Sequence, residues 1–109
     1  MKKVFLLAAL FGFAAVFNGR AADAKTNWNS LCAKCHGEDG KGQTKMGQKL
    51  GIKDLTDAKV QSELKDDAAF NMIKEGKKDA DGRTLMKAFD NLSDDEIKAL
   101  VAYVRGFKS

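Results

Sequence analysis

Hydrophobic positions along this chain recur at intervals of three and four with no sustained two-residue alternation, so helices are expected and strands are not. The last segment carries the clearest pattern: Ile97, Leu100, Val101 and Val104 form one stripe, with Tyr103 and Phe107 flanking it. Ser93-Asp94-Asp95-Glu96 precedes it as a capping box, in which serine and glutamate each satisfy the other's backbone N–H. Nearer the start, Trp28, Leu31, Cys32 and Cys35 share one side of a helix that Thr26 can cap. Residues 57–64 read as a short helix with Val60 and Leu64 inward. Asp66 or Asp67 caps another, which carries Phe70 and Ile73 on one face and stops at Gly76. The polar, glycine-containing stretches 37–42 and 77–83 are loops. The pattern predicts an all-α domain of three to five helices.

One stretch departs from this periodicity. After Met1-Lys2-Lys3, the segment Val4–Phe17 runs fourteen residues without a polar side chain. That falls short of the roughly 20 residues that cross a bilayer core. Ala21, Ala22 and Ala24 follow, and Ala22-Asp23-Ala24 has the small-x-small form of a cleavage site. Residues 1–24 are therefore expected to be a secretory signal peptide and residues 25–109 the mature domain. Cleavage after Ala21 and an uncleaved membrane anchor are the alternatives. No stable membrane insertion is expected once the leader is gone.

Removal of residues 1–24 from 109 leaves 85, enough for one small domain. A chain of that size commonly needs a cofactor or a cross-link to complete its core. The leader also takes Lys2, Lys3, Arg20 and Asp23 with it, which lowers the formal charge from +4 to +2. An excess that small gives no reason to expect nucleic-acid binding.

Candidate chemistry is concentrated in Cys32-Ala33-Lys34-Cys35-His36. Two cysteines three apart on a helical turn can reach a common object, and a histidine next to the second can sit over its centre. A porphyrin fits this arrangement, with two thioether links and one iron ligand, and C-x-x-C-H is the signature of c-type haem attachment. Zinc would lack a fourth ligand, because the chain holds two cysteines and one histidine. Thiol–disulfide exchange usually needs a strand–helix context that the pattern does not offer. One motif implies one haem c, bound covalently through Cys32 and Cys35 with His36 on the iron. Thioethers form outside the cytoplasm, so motif and leader agree on a bacterial periplasm.

The sixth iron position remains. His36 is the single histidine, so a second imidazole would have to come from another chain. A lysine ligand would first lose a proton from a group with a reference pKa of about 10.4. Methionine is a soft, neutral ligand that raises the reduction potential, and the mature chain offers Met46, Met72 and Met86. Met46 follows His36 closely and lies on the histidine side. Met72 sits inside a helix beside Ile73, where methionine usually fills core space. Met86 falls in a late loop and can reach the opposite face, so it is the expected ligand, with core packing as its alternative. Leu50, Ile52 and Leu55 are expected to wall the histidine side, and Trp28 to serve as core rather than as a redox group.

The segments CAKCHGEDGKG, GQKL and TLMKAFDNLSDDEIKALVAYVR resemble the class I monohaem cytochromes c, especially the small bacterial c5, c6 and c551 types. The resemblance spans essentially the whole mature chain. It implies the cytochrome c fold, with first and last helices crossing so that Trp28 nears Val101, Val104 or Tyr103. It implies Met86 as the second ligand with Phe89 following, a bond from Thr84 to a haem propionate, and a carbonyl at Gln48 that accepts the N–H of His36. Lys87 and Gln48 stand where the family often has proline, and the chain contains no proline at all. The loop at Gln48 is therefore expected to be less rigid, and the Met86 ligation less stiff.

An iron held by both His36 and Met86 has no open site, which argues against an enzyme. The expectation is a soluble periplasmic carrier of one electron between redox partner proteins. Lys34, Lys45, Lys49 and Lys87 are candidates to ring the haem edge and steer an acidic partner, against the alternative of an evenly solvated surface. A haem subunit of a larger oxidoreductase and a five-coordinate, gas-binding cytochrome are the rival readings.

Overall fold

The computed structural model describes residues 23–108, so the expected leader lies outside the described residues as far as residue 22. Residues 23–27 are α-helical, Trp28–Cys32 is wound as a π-helix, and Ala33–His36 returns to α. This continuous stretch is α1. The Ala33 N–H reaches back five residues to the Trp28 carbonyl, which is the π pattern. Thr26 lies inside the helix rather than at its cap, because the chain is already helical at residue 23.

Four further helices follow: α2 (Lys45–Leu50), α3 (Ala58–Glu63), α4 (Asp66–Glu75) and α5 (Asp94–Arg105). Asp57 caps α3 by accepting the Lys59 N–H. Helix α4 begins one residue before the Asp67 position, with Lys65 as an N-cap that makes no side-chain bond. Its two aspartates occupy the first turn instead, where carboxylates oppose the positive end of the helix dipole. Gly76, at φ 79°, ends it as expected. The capping box of α5 is formed in both directions, at 3.1 Å from the Glu96 N–H to Ser93 Oγ and 2.9 Å from the Ser93 N–H to Glu96 Oε1.

Two elements depart from the sequence pattern. The segment after Gly42, where the pattern showed no helix, winds into α2, because Thr44 caps it and Gly51 leaves it in a left-handed turn at φ 68°. Lys77–Lys78 (β1) and Thr84–Met86 (β2) pair as an antiparallel ribbon, where a plain loop was expected. Strands this short show no alternation to read. The connecting turn dictates the pairing: Asp79 Oδ1 accepts the N–H groups of Asp81 and Arg83, each at 2.9 Å.

The core joins α1, α4 and α5. Trp28, Cys32, Ala69, Ile73, Phe89, Ile97, Leu100, Val101 and Val104 form one buried cluster, which includes every residue of the predicted final stripe. Ile97 and Leu100 are 0% and 1% exposed, and such burial is worth about 1.5–3 kcal/mol per side chain. Arg105 then ties α5 to the other wall. Its Nη1 donates to the Gln61 carbonyl at 2.7 Å, Nη2 donates to the Leu64 carbonyl, and Nε meets Asp66 at 2.8 Å. Gln61 Nε2 in turn donates to the carbonyls of Leu55 and Val104.

Candidate functional site

The cysteine–histidine motif forms the end of α1. Cys32 closes the π segment, and Cys35 and His36 fill the short α turn after it. Gly37, at φ 84°, stops the helix while its N–H closes on the Ala33 carbonyl at 2.8 Å. The last carbonyls of a helix need outside donors. Thr44 Oγ1 donates to the Cys35 carbonyl at 2.6 Å, and the Gly42 N–H donates to the His36 carbonyl at 2.7 Å. The same Thr44 hydroxyl accepts the Gly47 N–H at 2.9 Å. A Cβ on Gly47 would collide with the Cys35 and Gly42 carbonyls, so only glycine lets α2 approach the motif this closely.

Cys32 is buried, Cys35 is half-buried, and neither is in a disulfide. Burial pushes the Cys32 thiol up to about 11, with Cys35 adding to the effect. Burial also holds the His36 imidazole below its ordinary 6.5, so it is neutral at pH 7. Among the described residues, His36 Nδ1 is buried without a hydrogen-bond partner. His36 lines the cavity described next, so Nε2 is the nitrogen left to meet it.

Cys32, Cys35 and His36 open onto a cavity of about 750 Å³ that also receives Thr84 and Met86 from β2. Its walls include Leu50, Ile52, Leu55, Val60, Leu64 and Phe89. Sites for small organic cofactors span about 300–1,000 Å³ and are mostly apolar with a few polar groups. Two thiols, an unpartnered imidazole and a thioether facing one apolar space fit a haem. Met46 and Met72 reach the same cavity, so the structure brings all three candidate methionines together there. Met46 is 38% exposed, whereas Met72 and Met86 are half-buried.

Gln48 does not join them. It is exposed on α2, and its carbonyl accepts the Gly51 N–H at 3.3 Å instead of reaching His36. The helical winding of residues 45–50 causes this, because it turns the carbonyl along the helix axis. Two contributors carried weak signals or none in the sequence. Thr44 was missed, and the one signal that could have found it is a threonine standing at the N-cap position before Lys45–Leu50. The contact between Trp28 and His36, with ring centroids 5.5 Å apart, depends on the π winding.

The model of the family described as cytochrome c oxidase, cbb3-type, subunit III matches residues 19–104. Among solved structures, the chain is similar to the KustC0563 c-type cytochrome at 34% identity, with a TM-score of 0.68, over 79% of this chain and 98% of that one. A point mutant of KustC0563 matches at 36% identity, with a TM-score of 0.67, over 79% of this chain and 99% of that one. Comparison with curated proteins gave no match.

Proposed function

We propose, from the premise that this chain belongs to the c-type cytochromes of the cytochrome c oxidase, cbb3-type, subunit III family, that it is an exported carrier of single electrons. Membership brings the cytochrome c fold and implies covalently bound haem c and haem-based electron transfer, the role of a carrier rather than an enzyme. The finer reading rests on one observation: the motif residues and Met86 face a single apolar cavity.

In this reading one haem is joined through Cys32 and Cys35 and ligated by His36 and Met86, and it supplies a one-electron couple. His36 suits the task because burial keeps its imidazole neutral, leaving a nitrogen lone pair for the metal. Met86 is neutral in both oxidation states, so the site need not rearrange when an electron arrives. Thr84, exposed at the cavity, would hold a propionate. Lys34 and Lys87 stand at the same cavity, with Lys45 and Lys49 exposed on the neighbouring α2.

Residues 1–24 act as the export leader, and the carrier works in the periplasm. No helix among the described residues is long and apolar enough to cross a membrane. Protein recovered from periplasm should begin at Lys25; retention of residues 1–24 would contradict export by cleavage.

Absorption spectra of methionine variants test the ligand set. The far-red sulfur-to-iron band of the ferric protein should vanish in Met86→Ala and persist in Met46→Ala and Met72→Ala. Its survival in Met86→Ala overturns the assignment, and its absence from the parent favours a five-coordinate, gas-binding iron. The family description supports a second reading, a relay subunit within a larger oxidoreductase. Co-purification with a membrane complex would decide for it.

A further inference from the structure

A metal-binding histidine generally donates its second ring N–H to a carboxylate, a carbonyl or water, and that bond fixes the ring. No described residue makes such a bond to His36: Nδ1 is buried and unpartnered among them. The Trp28 indole packs on its ring, with centroids 5.5 Å apart and planes tilted by 40°.

Trp28 is itself firmly held. It is 3% exposed, and its Nε1 donates at 3.0 Å to the carbonyl of Gly37, the residue following His36. Tyr103 and Phe107 pack on it at 5.9 and 5.0 Å. The indole therefore grips both the imidazole and the backbone just beyond it.

The π segment makes this contact possible. An α-helix turns roughly 100° per residue, so residues eight apart sit about 80° apart around the axis. The π turn over Trp28–Cys32 takes up one extra residue. That brings Trp28 to within about 20° of His36, on the same side of α1. Isolated π turns inside α-helices recur at functional sites.

We propose that Trp28 is the positioning residue for His36, its indole fixing the plane of the imidazole in place of the hydrogen bond that Nδ1 lacks. This rests on the reading of His36 as an iron ligand. Trp28→Leu then frees the ring, whereas Trp28→Phe keeps an aromatic face against it. Leu100→Ala is the packing control, since it opens the same core from α5.

Electron paramagnetic resonance and reduction potential of the ferric holoproteins are the readouts. Trp28→Leu should displace the low-spin g values and the potential, and Trp28→Phe should restore most of both. Leu100→Ala should lower the melting temperature and leave them in place. Unchanged g values and potential in Trp28→Leu, or an equal displacement in Leu100→Ala, would overturn the proposal. If Trp28→Leu fails to fold, NMR of the reduced parent decides. Cross-relaxation between indole and His36 ring protons is expected, and its absence overturns the contact. A parent with no low-spin ferric signal would instead overturn the ligand reading itself.

Discussion

Thr44 and Cys35 are joined by a hydrogen bond of 2.6 Å from hydroxyl to carbonyl, which locks the loop after the motif onto the motif itself. The same oxygen accepts the Gly47 N–H, so one side chain satisfies two backbone groups. Thr44→Val keeps the shape and removes both bonds, at a cost of about 1–3 kcal/mol for stranded polar groups. Chemical denaturation of the holoprotein should show that loss, and Thr44→Ser should recover most of it. A Thr44→Val midpoint equal to the parent's would contradict the lock.

Arg105 separates two kinds of charge interaction. Its ion pair with Asp66 is exposed on the acid side, where Asp66 is 75% accessible. Exposed pairs contribute about 0–1 kcal/mol. Its bonds to the Gln61 and Leu64 carbonyls are part-buried and charge-assisted, a class worth about 1.5–3 kcal/mol. Arg105→Gln should therefore destabilise clearly more than Asp66→Asn in denaturant titrations. Equal effects would mean that the ion pair, and not the clamp on the α3 wall, supplies the stability.

The capping box of α5 carries a pH dependence. The Ser93 N–H, then the Ser93 hydroxyl and the Asn27 side chain, hold the Glu96 carboxyl below its ordinary 4.5. The folded pKa lies below the unfolded one, so between them the unfolded chain binds the extra proton. This stabilisation is complete above the unfolded value and is lost as pH falls through the folded one. Glu96→Gln should flatten the fall of the melting temperature below pH 4.5. An unchanged slope would place the acid sensitivity elsewhere.

Lysines at the cavity give a kinetic prediction. Lys34 and Lys87 line it and are exposed. Lys34→Glu and Lys87→Glu should slow electron transfer to an acidic partner at low salt, because steering acts through the long-range field. The difference should fade near 1 M salt, where the screening length is about 3 Å. Equal salt dependence in parent and variants would leave an evenly solvated surface.

The sequence made some of this plain and hid the rest for physical reasons. The α5 stripe was legible because Ile97, Leu100, Val101 and Val104 keep strict helical spacing, and all four are buried. The helix stop at Gly76 was legible because the chain takes a positive φ there. Helix α2 was not, since six residues containing Gly47 give too short a pattern to read, although Thr44 and Gly51 bracket it. The β ribbon depends on side-chain bonds within the Asp79 turn. The facing of Trp28 and His36 was hidden most deeply: α-helical spacing separates them, and the π turn brings them together. At the site, Cys32, Cys35, His36, Thr84 and Met86 all reach one cavity, while Gln48 is turned away by a helix the pattern did not show.

The mass of the denatured, acid-extracted protein shows whether the haem is covalently attached. Cys32 and Cys35 are the chain's two cysteines, and a haem bound through both stays with the polypeptide when every non-covalent contact is gone. The parent should carry one haem of added mass, lost when Cys32 and Cys35 are both changed to alanine. A parent at the bare-chain mass would contradict it.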